Sequence, residues 1–254
     1  MSGWIYEIFA SIQGEGLYCG QRQTFARLAG CNLACDYCDT PAARAEHPVD
    51  CLVETRPGSG HIENIANPVS VERAVTLCRE LGRNAISITG GEPLAQIDYL
   101  AALMSGLKDS GFTNHLETNG TLYRELGSVV KLTDVIAMDM KLPSAAGDGE
   151  RWEDHSRFLE IASGTGVFVK VVVSASTTED EILRCCEIIE PVDRFIPLVI
   201  QPVTALGSSP SPPASGGDQG GVPGDLLIRL QEAAAAHLAD VRVIPQCHKL
   251  LGLR

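Results

Sequence analysis

No apolar run in the chain approaches the roughly 20 residues a helix needs to cross a bilayer, and the opening MSGWIYEIFASIQGEG carries no basic leader followed by an apolar stretch. A cytoplasmic protein without membrane association is expected. Positive charge is scarce: 20 Lys and Arg against 32 Asp and Glu give a formal charge of −12. That balance speaks against the basic surface with which nucleic-acid binders track phosphates, and reads as solubility. An even set of cysteines is missing too. Nine cysteines, with Cys185 and Cys186 adjacent, do not compose a disulfide framework, and a reducing compartment suits thiolates that stay free for metal. The remainder, 44% hydrophobic over 254 residues, is an ordinary globular chain, long enough to bury a substantial core.

What is present is a close set of three cysteines, Cys31, Cys35 and Cys38, in the run GCNLACDYCDT. Three thiolates can hold three irons of a [4Fe–4S] cluster and leave the fourth iron open to a ligand that is not protein. The C-x3-C-x2-C spacing resembles the signature of the radical S-adenosylmethionine (SAM) enzymes, in which the open iron chelates the amino and carboxylate groups of SAM. Two other readings stand beside it. The thiols could belong to a structural zinc site completed by Cys19, Cys51, His47 or His61, or they could be buried apolar groups.

Downstream, β-rich runs alternate with amphipathic stretches, the pattern of βα units around a parallel sheet. Strands are expected at Trp4–Ser11, Gln23–Leu28, Ala85–Thr89, Thr113–Thr118, Asp134–Asp139, Val167–Ser174, Phe195–Gln201 and Val241–Pro245. Ser70 should cap a helix ending near Leu81 and Gly82, and a second helix should run from Ile97 to Ser110. Thr178 to Glu181 reads as a capping box opening the helix that carries Cys185 and Cys186, and Asp225–Leu238 as the last helix. The expected fold is α/β, a partial (β/α)6-type parallel barrel of the radical SAM kind with its cluster loop near the N-terminus, in one domain spanning 1–254. Two irregular insertions interrupt it: 42–67, read as a mobile excursion, and 206–224, a Pro/Gly/Ser-dense loop. Polar groups recur at strand ends, where such folds gather their chemistry. Gly90-Gly91-Glu92-Pro93 is the first instance: two glycines allow a close backbone approach to a ligand, and Glu92 can accept a hydrogen bond from an amine. Thr118-Asn119-Gly120, Met140-Lys141, Ala175-Ser176 and Pro202 follow. Each alone could be a turn; their repetition argues for a site.

The runs FASIQGEG (9–16), FARLAGCNLACDYCDT (25–40), SITGGEP (87–93), HLETNGT (115–121), DMKLPS (139–144) and VIPQCHKLLG (243–252) together resemble the 7-carboxy-7-deazaguanine synthase family of radical SAM enzymes. The resemblance implies a lyase of queuosine and 7-deazapurine biosynthesis. Its substrate would be 6-carboxy-5,6,7,8-tetrahydropterin, which loses hydrogen at C6 to a 5′-deoxyadenosyl radical and contracts its ring with loss of ammonia. By the same resemblance Cys31, Cys35 and Cys38 ligate the cluster. Tyr37, Cys38, Asp39, Gly91, Glu92, Asp139, Met140, Lys141 and Gln201 meet SAM. Ile12, Gln13, Gly14 and Glu15 hold the pterin, Arg27 clamps its carboxylate, and Thr89 and Glu117 add substrate contacts. Thr40 matches a Mg²⁺ ligand, and the family also implies a homodimer reduced by flavodoxin or ferredoxin. The chain continues past PQCHK to LLGLR, which departs from a family pattern in which the terminal carboxylate reaches the substrate. Two alternatives remain at this stage. A glycyl-radical-enzyme activating protein would share the cysteine spacing without explaining SIQGEG or CDT, and a non-catalytic Fe–S or zinc module would not explain the strand-end motifs.

Overall fold

Alternation along the strands decides which side chains meet the helices and which meet the interior. In the computed structural model, which describes residues 1–147, 149–204 and 221–253, the strands are β1 (Ser2–Gly3), β2 (Ile5–Ile12), β3 (Arg22–Leu28), β4 (Asp50–Glu54), β5 (Ile62–Ala66), β6 (Val69–Ser70), β7 (Ala85–Gly90), β8 (Thr113–Thr118), β9 (Val135–Asp139), β10 (Gly166–Val173), β11 (Leu198–Pro202) and β12 (Val241–Val243). The helices are α1 (Val71–Glu80), α2 (Ile97–Asp109), α3 (Tyr123–Val129), α4 (Pro143–Ala146), α5 (Trp152–Ala162), α6 (Glu179–Asp193), α7 (Gly224–Ala235) and α8 (Cys247–Leu250). β1 and β6 form a small ribbon, and the other strands make one sheet in the order β12-β11-β10-β9-β8-β7-β3-β2-β4-β5.

From β3 to β12 every neighbouring pair in that order is parallel, whereas β2 runs antiparallel to β3. The sheet surrounds the cavity and, among the described residues, ends at β12 and β5, in keeping with the expected partial barrel. Strand β10 shows the logic. Val169, Val171 and Val173 join the core beneath the helices, while Phe168, Lys170 and Val172 turn to the cavity. The helices cover the outer face with Leu100, Leu103, Met104 and Leu107 of α2, Phe158 and Leu159 of α5, and Ile182 and Ile189 of α6, all fully buried. Each such side chain contributes about 1.5–3 kcal/mol relative to exposure.

The local signals read from sequence act as expected. Ser70 accepts from the Arg73 N–H at 3.2 Å, and the Thr178–Glu181 box closes both of its hydrogen bonds. The insertion does not. Within 42–67, β4 pairs parallel with β2 and antiparallel with β5, which extends the sheet by a hairpin. Cys51 and Val53, on one face of β4, are buried against the core, and the surrounding Pro, Gly and His obscured this two-residue period. The 206–224 insertion falls mostly on 205–220, outside the described residues.

Candidate active site

The interior opens into a cavity of about 470 Å³ at the C-terminal ends of the parallel strands, a size typical of small-molecule sites. The cysteine loop forms one wall. It leaves β3 through Gly30, whose φ of 86° suits a residue without Cβ. It is then tied down by Gly30 N–H to Ala43 O at 2.9 Å and Asp36 N–H to Ala146 O at 3.0 Å. Arg44, from the insertion, donates to the Cys35 carbonyl at 2.6 Å. Gly91 lies behind this loop: a Cβ there would fall 2.1 Å from the Gly30 carbonyl oxygen and 2.8 Å from Cys31 Cβ. The double glycine is therefore required by packing of β7 against the cysteine loop, and Gly91 reaches the cavity because the loop does.

Cys31, Cys35 and Cys38 all line the cavity. A single tetrahedral zinc would draw its thiolates to roughly 3.8 Å from one another, given Zn–S bonds of about 2.3 Å. Among the described residues, the metal-ligating atoms that converge within 4.8 Å belong to Glu15, Asp39 and His248, not to the cysteines. The suggested fourth zinc ligands are engaged elsewhere: Cys51 is buried in the core, His47 packs edge-on to Trp4 at 4.3 Å, His61 bonds Thr55, and the Cys19 thiol meets that of Cys247. Three thiols that face one cavity and do not all lie within 4.8 Å of one another fit a multinuclear cluster. Cys78, Cys185 and Cys186 are buried, and burial pushes the Cys78 thiol up to about 12.

The strand ends beside the cysteines carry a chain of charges. Asp139 at the end of β9 pairs with Lys141 at 2.9 Å and with Lys170 at 3.2 Å, and Lys170 also pairs with Glu15. Burial alone would raise the Glu15 carboxyl, but the Lys170 ammonium and the Gln246 amide prevail and lower it to about 2. Burial likewise opposes ionisation of Asp139, and its two lysines overcome it, holding the carboxyl below the usual range. Among the described residues, Asp139 Oδ1 and Gln201 Oε1 are buried without a hydrogen-bond partner. Both residues border the cavity, so a ligand carrying N–H or O–H groups would satisfy them.

Across the cavity, Gln13 donates to Glu117 Oε1 at 2.7 Å and Ser87 donates to the same oxygen at 2.6 Å. Arg27 donates through Nε to Glu7 at 2.8 Å, which fixes the plane of its guanidinium. Phe9 and Phe25 stack at 5.0 Å to form an apolar patch of the wall. Ile12, Gly14, Tyr37, Asp39, Thr40 and Thr89 complete the set of sequence-selected residues that border this space.

Glu92 and Met140 do not border it. Glu92 is fully buried, and its carboxylate accepts from Leu94 N–H (3.0 Å), Thr118 hydroxyl (2.9 Å) and Asn119 N–H (2.7 Å). Its acceptors are spent on tying β7 to the loop after β8, and burial raises it to about 7. Met140 follows the inward Asp139, so alternation turns it outward into the helix-side core. Sequence reading missed Lys170, a charge in the otherwise apolar GVFVKVVV. It also missed the reach of the C-terminal segment. Cys247 N–H donates to Gly14 O at 2.9 Å, Gln246 donates to Glu15 at 2.7 Å, and His248 and Lys249 border the cavity. The inward lysine of β10 was a readable signal for the first, and the run VIPQCHKLLG for the second, although no residue of that run was singled out.

The profile of the radical SAM superfamily matches residues 27–177, so fold and cysteine loop define a radical SAM protein, a class that implies a [4Fe–4S] cluster and SAM. The chain is 43% identical over 252 residues to 7-carboxy-7-deazaguanine synthase of Geobacter sulfurreducens, covering 97% of this chain and 96% of the relative. It is 35% identical to the enzyme of that name from Methanopyrus kandleri, covering 97% and 92%. It belongs to the 7-carboxy-7-deazaguanine synthase family. The solved structure of QueE from Escherichia coli shares the fold with a TM-score of 0.61 at 20% identity, covering 98% of this chain and 95% of that one. Among the described residues no helix is long and apolar enough to cross a membrane.

Proposed function

We propose that the cavity converts 6-carboxy-5,6,7,8-tetrahydropterin to 7-carboxy-7-deazaguanine with loss of ammonia. The observation that carries this reading is the meeting, in one cavity, of the three cysteines with Gln13, Glu15, Arg27, Thr89 and Glu117, in a chain of this family. Cys31, Cys35 and Cys38 would hold the cluster, and Gly91, Asp139, Lys141 and Gln201 would border SAM. When bound, these groups supply a 5′-deoxyadenosyl radical able to take hydrogen from an unactivated carbon, and Mg²⁺ supplies Lewis acidity at a carboxylate.

The chain's own share is to bind, orient and exclude water. Arg27, anchored through Nε, offers its two terminal nitrogens as a fork for the substrate carboxylate. Gln13, Glu15 and Glu117 present fixed acceptors and amides to the polar edge of the pterin, and the Phe9–Phe25 stack presents an apolar surface to its ring. Thr40 would hold Mg²⁺ against the substrate carboxylate. A lone hydroxyl is a poor Mg²⁺ site, so substrate oxygens and water complete the octahedron, and the neighbouring Asp39 and Glu15 make the corner favourable to a cation.

Anaerobic reconstitution with iron and sulfide, followed by SAM, dithionite and the carboxypterin, tests the reading. The expected product is 7-carboxy-7-deazaguanine. Formation of 5′-deoxyadenosine with the pterin recovered unchanged refutes the substrate assignment, and failure to develop [4Fe–4S] absorption refutes the whole.

A further inference from the structure

Lys170 belongs to none of the motifs, yet its ammonium joins the two halves of the cavity. The register of the sheet sets it directly beside Asp139 on the neighbouring strand, and both side chains face inward. Its ammonium pairs with Asp139 on the SAM side at 3.2 Å and with Glu15 on the pterin side, while its side chain is 13% exposed. Of the other partners, Lys141 serves the SAM side alone, while the neutral Gln246 amide also spans the two. Lys141 pairs with Asp139, and Gln246 bonds Glu15 and Asp39. Glu15 sits on the turn after β2 with Gln246 and Lys170 as its side-chain anchors. Without the ammonium, two carboxylates would face each other across a partly buried space, where unpaired charge is costly, and the Gln246 amide alone would anchor the Glu15 side chain.

We propose that Lys170 is a positioning residue that couples the two ligand subsites, so that SAM and the carboxypterin each bind more tightly when the other is present. The inference rests on the functional reading above. The physical cause is shared ordering: one ammonium holds both carboxylates, so the ligand that arrives first fixes the Glu15 turn and the end of β9, and the second meets an arranged site. Coupling of this kind is typically 5- to 150-fold in affinity.

The experiment is the dissociation constant of SAM for the anaerobically reconstituted holoenzyme, with and without saturating carboxypterin and with no reductant present. Wild type, K170M and K170R are compared, and thermal unfolding is recorded for each. Wild type should bind SAM at least about fivefold more tightly with the pterin present. K170M should show a ratio within about twofold of unity, and K170R should recover much of the effect, a rescue that a mere packing role would not produce. Equal ratios in wild type and K170M, or no tightening in wild type, overturn the inference while leaving the function standing. If K170M does not fold, K170Q, which keeps an N–H donor and removes the charge, takes its place; coupling retained there overturns the inference, and coupling lost with cooperative unfolding supports it. Failure of wild type to bind the carboxypterin at all is a different result, since it removes the reading on which the inference stands.

Discussion

Gly91→Ala should damage the protein at the cysteine loop, and the structure gives the size of the effect. A Cβ at this position meets Gly30 O at 2.1 Å, Gly30 C at 2.6 Å and Cys31 Cβ at 2.8 Å. Two of these are backbone atoms that no rotamer change can move. Relief to ordinary contact needs a shift of roughly 1 Å or more between β7 and the loop. That shift strains the Glu92 N–H to Gly30 O bond of 2.8 Å and the Gly91 N–H to Leu28 O bond of 3.1 Å. Overpacking costs about 1–3 kcal/mol and each weakened hydrogen bond about 0.5–1.5 kcal/mol, so the sum is about 2–6 kcal/mol. For a chain of this size that corresponds to a fall in Tm of roughly 4–24 °C. Because the displaced residue is Cys31, iron content and cluster absorption after anaerobic reconstitution should fall as well. Gly127→Ala is the control: nothing lies within 4 Å of its added methyl in α3, so it should stabilise by about 0.5–1 kcal/mol. A Gly91→Ala protein that melts within about 2 °C of wild type and loads iron normally would refute the packing argument.

Arg27→Lys keeps the charge but loses the fork; KM for the carboxypterin should rise about tenfold or more, by about 1.5–3 kcal/mol, with SAM affinity unchanged, and a loss of SAM affinity instead would count against the carboxylate assignment. Glu92→Gln sets an amide against the Asn119 N–H and should cost about 1–3 kcal/mol in chemical denaturation; unchanged stability would show that its three accepted bonds do not matter. His155 is fully buried, and burial lowers it to about 4, below its unfolded value. Its contribution is therefore present above about pH 6.5 and is lost as pH falls toward 4. His155→Gln should flatten the stability profile in that window, and a profile parallel to wild type would remove His155 from the explanation. Glu15, lowered to about 2, contributes stability present above about pH 4.5 and lost as pH falls toward 2; Glu15→Gln should remove that part of the acid limb, measured by urea unfolding at successive pH values.

The cysteine loop, the helix caps and the strand series were legible because each is a local pattern: spacing along the chain, a hydroxyl three residues before an N–H, a period of two. Residues at strand ends were legible as a group because parallel sheets deliver such ends to one side of the fold. Glu92 misled for the same reason. Its position suggested a ligand contact, whereas its three donors come from Leu94, Thr118 and Asn119, two of them on a different strand end. The hairpin of 50–66 was hidden because β4 is specified by pairing with β2, and β5 by pairing with β4, more than by their own composition.

By itself the chain determined its chemistry: three thiols at a cluster spacing, a run of βα units, and motifs enough to select most residues that border one cavity. Tertiary structure alone decided which of them face that cavity. It turned Met140 away by alternation, consumed Glu92 in a tie between strand ends, and brought Gln246 and His248 across more than two hundred residues to Glu15 and Gly14. It also placed Lys170 between Glu15 and Asp139. A side chain's partners are set by sheet register and loop closure, which bring together groups whose separation in sequence carries no trace of the contact.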